Sequence, residues 1–246
     1  MKFVFDADPE DFCPISDIAD RRAVTEDAAR IKFIAENGRF LFDRASISEL
    51  THLIETNGPK YRTIQLQSEN PKIFSQGFDT RQFRFATKTL EDWAYGLGLG
   101  QKLVTTILHS PARIVAQVDG LCIGAGFEFA LACHQIDFGP SARVQFPEFK
   151  SGLVTGYGGV YLFTRKFGHQ GILSRLLAGD LVNARLLTPI DSPEKIEPDE
   201  YSFLQIDQRN VIFELINAPS LEASQTLATR AFLECVKRRS PESFKQ

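Results

Sequence analysis

Residues 112–168 read ARIVAQVDGLCIGAGFEFALACHQIDFGPSARVQFPEFKSGLVTGYGGVYLFTRKFG, and the fold is decided there. ARIVAQV is short and rich in β-branched residues, which predicts a strand. LCIGAG follows as a glycine-rich turn and FEFALAC opens an apolar helix, so the order is strand, tight turn, helix. HQIDFGPSA is expected to be a loop, followed by a short strand around Val144 and a turn at Pro147-Glu148-Phe149. GLVTGYGG is then a second glycine-rich approach to a helix running through Tyr161 to Phe167. Two glycine turns therefore frame Glu148.

A helix beginning at Phe127 leaves its first backbone N–H groups without internal partners and presents the positive end of its dipole. The small residues Gly124, Ala125 and Gly126 let an anion or an enolate oxygen approach those groups closely. Glu128 lies in the same first turn, where the dipole favours an acid whether it merely caps the helix or does chemistry. Glu148 sits between Phe146 and Phe149. It is either a loop glutamate in water or a desolvated acid with a raised pKa, suited to proton transfer at carbon. Residue type alone leaves both pairs of readings open.

Upstream, IKFIAENGRFLF (31–42) places Asn37-Gly38 between apolar segments and predicts two antiparallel strands joined by a tight turn. Ile47, Leu50, Leu53 and Ile54 recur at helical spacing behind a cap at Ser46 or Ser48, and Asn57-Gly58-Pro59 ends that helix. YRTIQLQ alternates like a strand, and FSQGFD (74–79) is a first candidate functional loop. From Arg81 to Ser110 the pattern is helical, with a glycine-bearing interruption at Gly96, Gly98 and Gly100. These glycines follow helix rather than strand and lack GxGxxG spacing, which excludes a dinucleotide fingerprint.

Downstream, residues 171–179 read as helix and 191–200 as a charged, proline-containing stretch. From Phe203 on, two or three helices are expected. Their apolar residues Val211, Phe213, Leu215, Leu227, Phe232 and Val236 must fold back on the core or pack against another subunit. Residues 1–28 show no sustained period and are taken as an N-terminal extension, 29–200 as the core domain and 201–246 as a helical C-terminal region. There is no internal repeat.

The 246 residues are 43% hydrophobic with a net charge of -3, enough for a large core and without a footprint for nucleic acid or an anionic membrane. No stretch offers the ~20 apolar residues of a membrane span. Cys13, Cys122, Cys133 and Cys235 lack CxxC spacing and are read as reduced thiols, which suits a cytoplasmic protein. His52, His109, His134 and His169 show no ligand spacing, so no metal is expected.

The stretch 112–168 closely resembles the signature segment of the enoyl-CoA hydratase/isomerase family, the crotonase superfamily, and IFSQGFD resembles that family's first oxyanion-loop motif. Similarity runs over about residues 30–190. The resemblance implies an α/β fold, a crotonase-like (ββα)n spiral core with a helical C-terminal region. It also implies that Phe78 and Ala125 supply the oxyanion-hole N–H groups, and that Glu128 and Glu148 are the two catalytic carboxylates. Gln76, Gly77, Gly124, Gly126, Gly156 and Tyr157 are implied to contact substrate.

The activity so implied is that of a lyase, a hydro-lyase of fatty acid metabolism acting on an α,β-unsaturated or 3-hydroxy acyl thioester. A thioester hydrolase, an enoyl isomerase or a non-catalytic carrier-binding protein on the same scaffold are the alternatives. No cofactor is implied beyond coenzyme A or phosphopantetheine as carrier, and relatives suggest a homo-oligomer, a trimer or hexamer. Two departures stand out. LFDRASISEL runs almost directly into the helix where relatives carry a longer CoA-cradling loop, and LAGDLVNARLLTPID is shortened. Both point toward an acyl carrier protein as an alternative to free CoA, and Gln76 replaces a small residue.

Overall fold

The computed structural model describes residues 1–7, 27–82, 89–168, 171–190 and 206–238. Cys13, His169 and the charged segment 191–200 lie outside them. In chain order come β1 (Lys2–Asp6), β2 (Ala28–Ile34), α1 (Arg44–Asn57), β3 (Thr63–Ser68), β4 (Ile73–Ser75) and α2 (Leu90–Leu108). Next are β5 (Arg113–Val118), β6 (Leu121–Ile123), α3 (Ala125–Ala132), β7 (Gln135–Phe138), β8 (Arg143–Gln145) and α4 (Gly159–Phe167). Last are α5 (Ile172–Leu177), β9 (Val182–Asn183), α6 (Ile206–Ile216) and α7 (Leu221–Arg238).

Five strands form one sheet in the order β1-β2-β3-β5-β7, parallel except for the edge strand β1. Four form a second in the order β4-β6-β8-β9, parallel except for β9. Every second residue of β2 (Ala29, Ile31, Phe33), β3 (Ile64, Leu66) and β5 (Ile114, Ala116, Val118) is buried, so one face of the first sheet carries the core. Parallel neighbours require crossovers, which α1, α2 and α3 supply.

The segments β3-β4-α2, β5-β6-α3 and β7-β8-α4 are three successive strand–strand–helix units, each giving one strand to each sheet. The sequence carries no visible repeat because the units share a backbone path rather than side chains. Their corners stack: Leu121 N–H donates to the Lys72 carbonyl at 2.9 Å and Arg143 N–H to the Gly120 carbonyl at 2.8 Å. Gly120 has φ +65°, and a Cβ there would fall 1.9 Å from the Lys72 carbonyl. Only glycine lets the corners nest so closely.

Several expectations are corrected. Lys2–Asp6, read as part of an extension, is a strand: Phe3 packs edge-on against Phe33 at 5.3 Å and Phe5 lies 5.6 Å from Tyr61, while Val4 faces out. The Asn37-Gly38 turn forms, with positive φ at both residues, but beyond the Glu36–Arg39 bridge no second arm pairs with β2. Instead Phe42 bridges to Phe78, because β1 already occupies that edge of β2.

The cap of α1 is Asp43, whose carboxylate accepts from Ser46 N–H at 2.7 Å while Asp43 N–H donates to Ser46 Oγ at 2.8 Å. Helix α2 runs unbroken through Gly96, Gly98 and Gly100. Gln135–Phe138, read as loop, is β7, stitched to β5 by Gln117 Nε2 donating to Asp137 at 2.6 Å.

The C-terminal helices fold back on the core. Ile212, Leu215, Phe232 and Val236 join the central apolar cluster, and the Phe232 ring lies 5.6 Å from Trp93 of α2. No described helix is long and apolar enough to cross a membrane.

Candidate active site

The first loop leaves β4 at Ser75. Ser75 Oγ accepts from Gly77 N–H at 3.1 Å and donates to the Phe40 carbonyl at 3.3 Å. Phe42 N–H donates to the Gly77 carbonyl at 2.8 Å, and Asp79 N–H to the Phe42 carbonyl at 2.7 Å. Since the Gly77 carbonyl faces Phe42 and shares a trans peptide group with the Phe78 N–H, that N–H points to the opposite side.

The second loop lies against the first because β4 pairs with β6. A Cβ on Gly77 would lie 3.0 Å from the Ile123 carbonyl and 3.8 Å from Ala125 N, and one on Gly126 would lie 2.4 Å from Ser75 Cβ. Gly124 is the N-cap of α3, at φ +52° and with no side-chain cap. The first bond of the helix is Glu128 N–H to the Gly124 carbonyl at 2.9 Å. The N–H groups of Ala125, Gly126 and Phe127 therefore stand at the positive end of α3 without intrahelical acceptors.

Both carboxylates meet this helix end. Glu128 is 1% exposed, and it accepts from Tyr157 N–H at 2.9 Å and Gly159 N–H at 2.7 Å on Oε2, and from Gly156 N–H at 3.3 Å on Oε1. Burial pushes its pKa up to about 7, and the three amides hold it back from rising further. Glu148 Oε1 lies so near Gly124 that a Cβ there would be 2.7 Å away. Its Oε2 exposes less than 1 Å² and has no hydrogen-bond partner. Burial and then the charge of Glu128 raise the Glu148 pKa to about 8, so the two titrate as a pair that resists carrying two negative charges.

Glu128, Glu148, Ala125, Gly124, Gly126, Gly77, Gly156 and Tyr157 thus come together at one end of α3, with Phe78 on the adjoining loop. Gln76 does not join them: it is exposed, and its Oε1 accepts from Phe40 N–H at 3.2 Å. Sequence reasoning missed Gly159, whose amide makes the shortest contact to Glu128 and whose Cβ, if present, would lie 2.7 Å from Glu128 Cγ. The doubled glycine in GYGG was its signal. It also missed Gln101 and Gln225, which hold the carbonyls of Gly156 and Tyr157 at 2.9 and 3.1 Å from helices far along the chain.

Among the histidines, His52 and His109 are exposed, and His134 Nδ1 accepts from Ile114 N–H at 3.0 Å. Among the described residues no three His, Cys, Asp or Glu converge as a metal site. Separately, an open groove of about 550 Å³ is lined by Ala35, Gly38, Phe40, Glu69, Asn70, Pro71 and Lys72. It shares no residue with the carboxylate site.

Two sheets fed by strand–strand–helix units, with a paired-carboxylate site at one helix N-terminus, define a crotonase-type fold. Residues 31–244 match the model of the enoyl-CoA hydratase/isomerase family, and the chain belongs to that family. A Bacillus subtilis protein named probable enoyl-CoA hydratase is 29% identical over 124 residues, 50% of this chain and 47% of that protein. The glyoxysomal fatty acid beta-oxidation multifunctional protein MFP-a of Cucumis sativus is 27% identical over 169 residues, 68% of this chain and 20% of its own length.

The matched region thus spans less than half of either curated relative. The crystal structure of enoyl-CoA hydratase from Bacillus halodurans superposes with a TM-score of 0.67 at 21% identity, covering 86% of this chain and 92% of that one. At that identity the likeness is one of fold.

Proposed function

We propose that this protein is a hydro-lyase that adds water to, or removes it from, an acyl thioester at the Cα–Cβ bond. The observation that carries the reading is the pair of buried carboxylates, Glu128 and Glu148, meeting at the N-terminus of α3. The thioester oxygen takes the N–H groups of Ala125 and Phe78, where negative charge developing on an enolate is stabilised by fixed dipoles. Glu128, gripped by three amides that favour the ionised form, takes a proton from water as the water oxygen bonds to Cβ. The π electrons move toward the thioester oxygen. Glu148, whose unpartnered buried oxygen favours the neutral form, then protonates Cα. A proton returning from Glu128 to Glu148 restores the starting state, and the sum is one water added across the double bond.

The carrier is coenzyme A or the phosphopantetheine arm of an acyl carrier protein, in a reducing compartment such as the cytoplasm that suits the buried thiols of Cys122 and Cys133. The test presents crotonyl-CoA and crotonyl-carrier thioesters to the purified protein and identifies products by mass spectrometry. A 3-hydroxybutyryl thioester that incorporates solvent oxygen is the expected product. Free thiol marks a hydrolase, a moved double bond without water marks an isomerase, and binding without any product marks a non-catalytic carrier-binding protein; each overturns the reading.

A further inference from the structure

One of the peptide groups that hold Glu128, Gly156–Tyr157, is itself held from behind, and the next one along is held as well. Tyr157 N–H, which donates to Glu128 Oε2, belongs to the same peptide group as the Gly156 carbonyl, and that carbonyl accepts from Gln101 Nε2 at 2.9 Å. Gln101 projects from α2, and its Nε2 also lies 3.2 Å from the Gln225 carbonyl and 2.8 Å from Thr229 Oγ1, both on α7. Gln225 Nε2 in turn donates to the Tyr157 carbonyl at 3.1 Å. Carbonyl oxygens only accept, so the amide groups facing them are fixed as NH2 by chemistry. A donor on one end of a peptide group polarises it and strengthens the N–H at the other end, so Gln101 acts on the Tyr157 N–H directly, while Gln225 fixes the Tyr157–Gly158 peptide that lies between the Tyr157 and Gly159 amides.

We propose that Gln101 and Gln225 are positioning residues for Glu128, acting through the Gly156–Gly159 segment, so that the docking of α7 on α2 determines how firmly the carboxylate form is gripped. The inference rests on the reading of Glu128 as the base and deepens it. The ionisable groups that bear on this carboxylate are Glu148 and the Tyr157 phenol, the latter kept neutral by burial and by both carboxylates, with Arg44 acting on the phenol from α1. From α2 and α7 the side chains that hydrogen-bond this segment are the neutral Gln101 and Gln225, and Leu97 and Leu221 pack beside it as apolar neighbours.

The test is the carbon-13 NMR titration of side-chain-labelled glutamate in full-length Glu148→Gln protein, where the Glu128 midpoint is no longer shared with a coupled acid. Glu128→Gln in the same background assigns the signal. Adding Gln101→Met or Gln225→Met removes a donor at nearly constant volume, and the Glu128 midpoint is expected to rise by about half a pH unit or more.

A packing role alone changes the melting temperature and leaves that midpoint in place. A folded variant with an unshifted midpoint therefore overturns the proposal, and if one substitution prevents folding the other decides it. No substrate is present, so the outcome is independent of turnover. A shifted midpoint in a protein that hydrates no thioester leaves this inference standing and removes the hydratase reading.

Discussion

Glu148 Oε1 occupies the space that a side chain on Gly124 would need: a single added carbon at position 124 would lie 2.7 Å from it, with φ already at +52°. The N-cap of α3 is therefore the floor on which the second carboxylate rests. Gly124→Ala pushes that carboxylate away and strains the backbone. It is expected to cost about 1–3 kcal/mol of stability and to abolish most turnover in protein that still folds, as read by denaturant unfolding beside a crotonyl thioester assay. Unchanged turnover would mean that Glu148 does no chemistry from this position.

Replacing either acid by its amide tests the roles directly. Glu128→Gln and Glu148→Gln are each expected to lower kcat about 10²–10⁴-fold with little change in KM. The double variant should be scarcely worse than either single one, since the two groups act in one proton cycle. Fully additive losses would indicate independent roles.

The pair also sets the sign of a stability profile. Glu148 has a folded pKa raised from 4.5 to about 8, so in that window the folded protein holds a proton that the unfolded chain releases. Stability contributed by this group is full below about pH 4.5 and falls as pH rises toward 8, by at most about 1.4 kcal/mol per pH unit. Unfolding free energies at pH 5.5 and 8.5 should differ accordingly. Glu148→Gln should remove this group's share of the slope, leaving the shallower part that Glu128 contributes up to about pH 7, and should leave the protein more stable than wild type at pH 8.5. A wild-type slope retained in Glu148→Gln would place the titration elsewhere.

Much of this arrangement was legible in the residues. The turn IGAGFE announced the α3 N-terminus because small residues and a following apolar run allow little else, and the alternation in YRTIQLQ gave β3. What escaped did so for physical reasons. KFVFD alternates as a strand should, yet it is only five residues long and is followed by acidic, proline-bearing sequence. Whether Asn37-Gly38 closes a two-stranded hairpin depends on whether β1 has taken the edge of β2, which no local pattern reveals.

The glycines of α2 looked like a break. One of them, Gly100, instead makes room for a ring, since a Cβ there would lie 2.2 Å from Tyr157 Cε1. Gln101 and Gln225 act on a segment 55 and 68 residues away. Such contacts exist only after the chain has folded.

At Gly120 the expectation is purely structural. Gly120→Ala drives a Cβ into the Lys72 carbonyl at 1.9 Å, separating the corners that stack β4 on β6. Backbone cannot yield as a flexible side chain does, so the loss should reach roughly 2–4 kcal/mol. Thermal unfolding would show it, and a melting temperature equal to wild type would mean that the corners do not nest as described.

The infrared carbonyl stretch of a carbon-13-labelled acyl thioester bound to Glu148→Gln protein tests the oxyanion site most directly. If, as proposed, the amides of Phe78 and Ala125 converge on that oxygen, they lengthen the C=O bond, and the band should move to lower frequency than in free thioester. Occupied protein whose bound band coincides with the free one would contradict the placement of the substrate and, with it, the proposed chemistry.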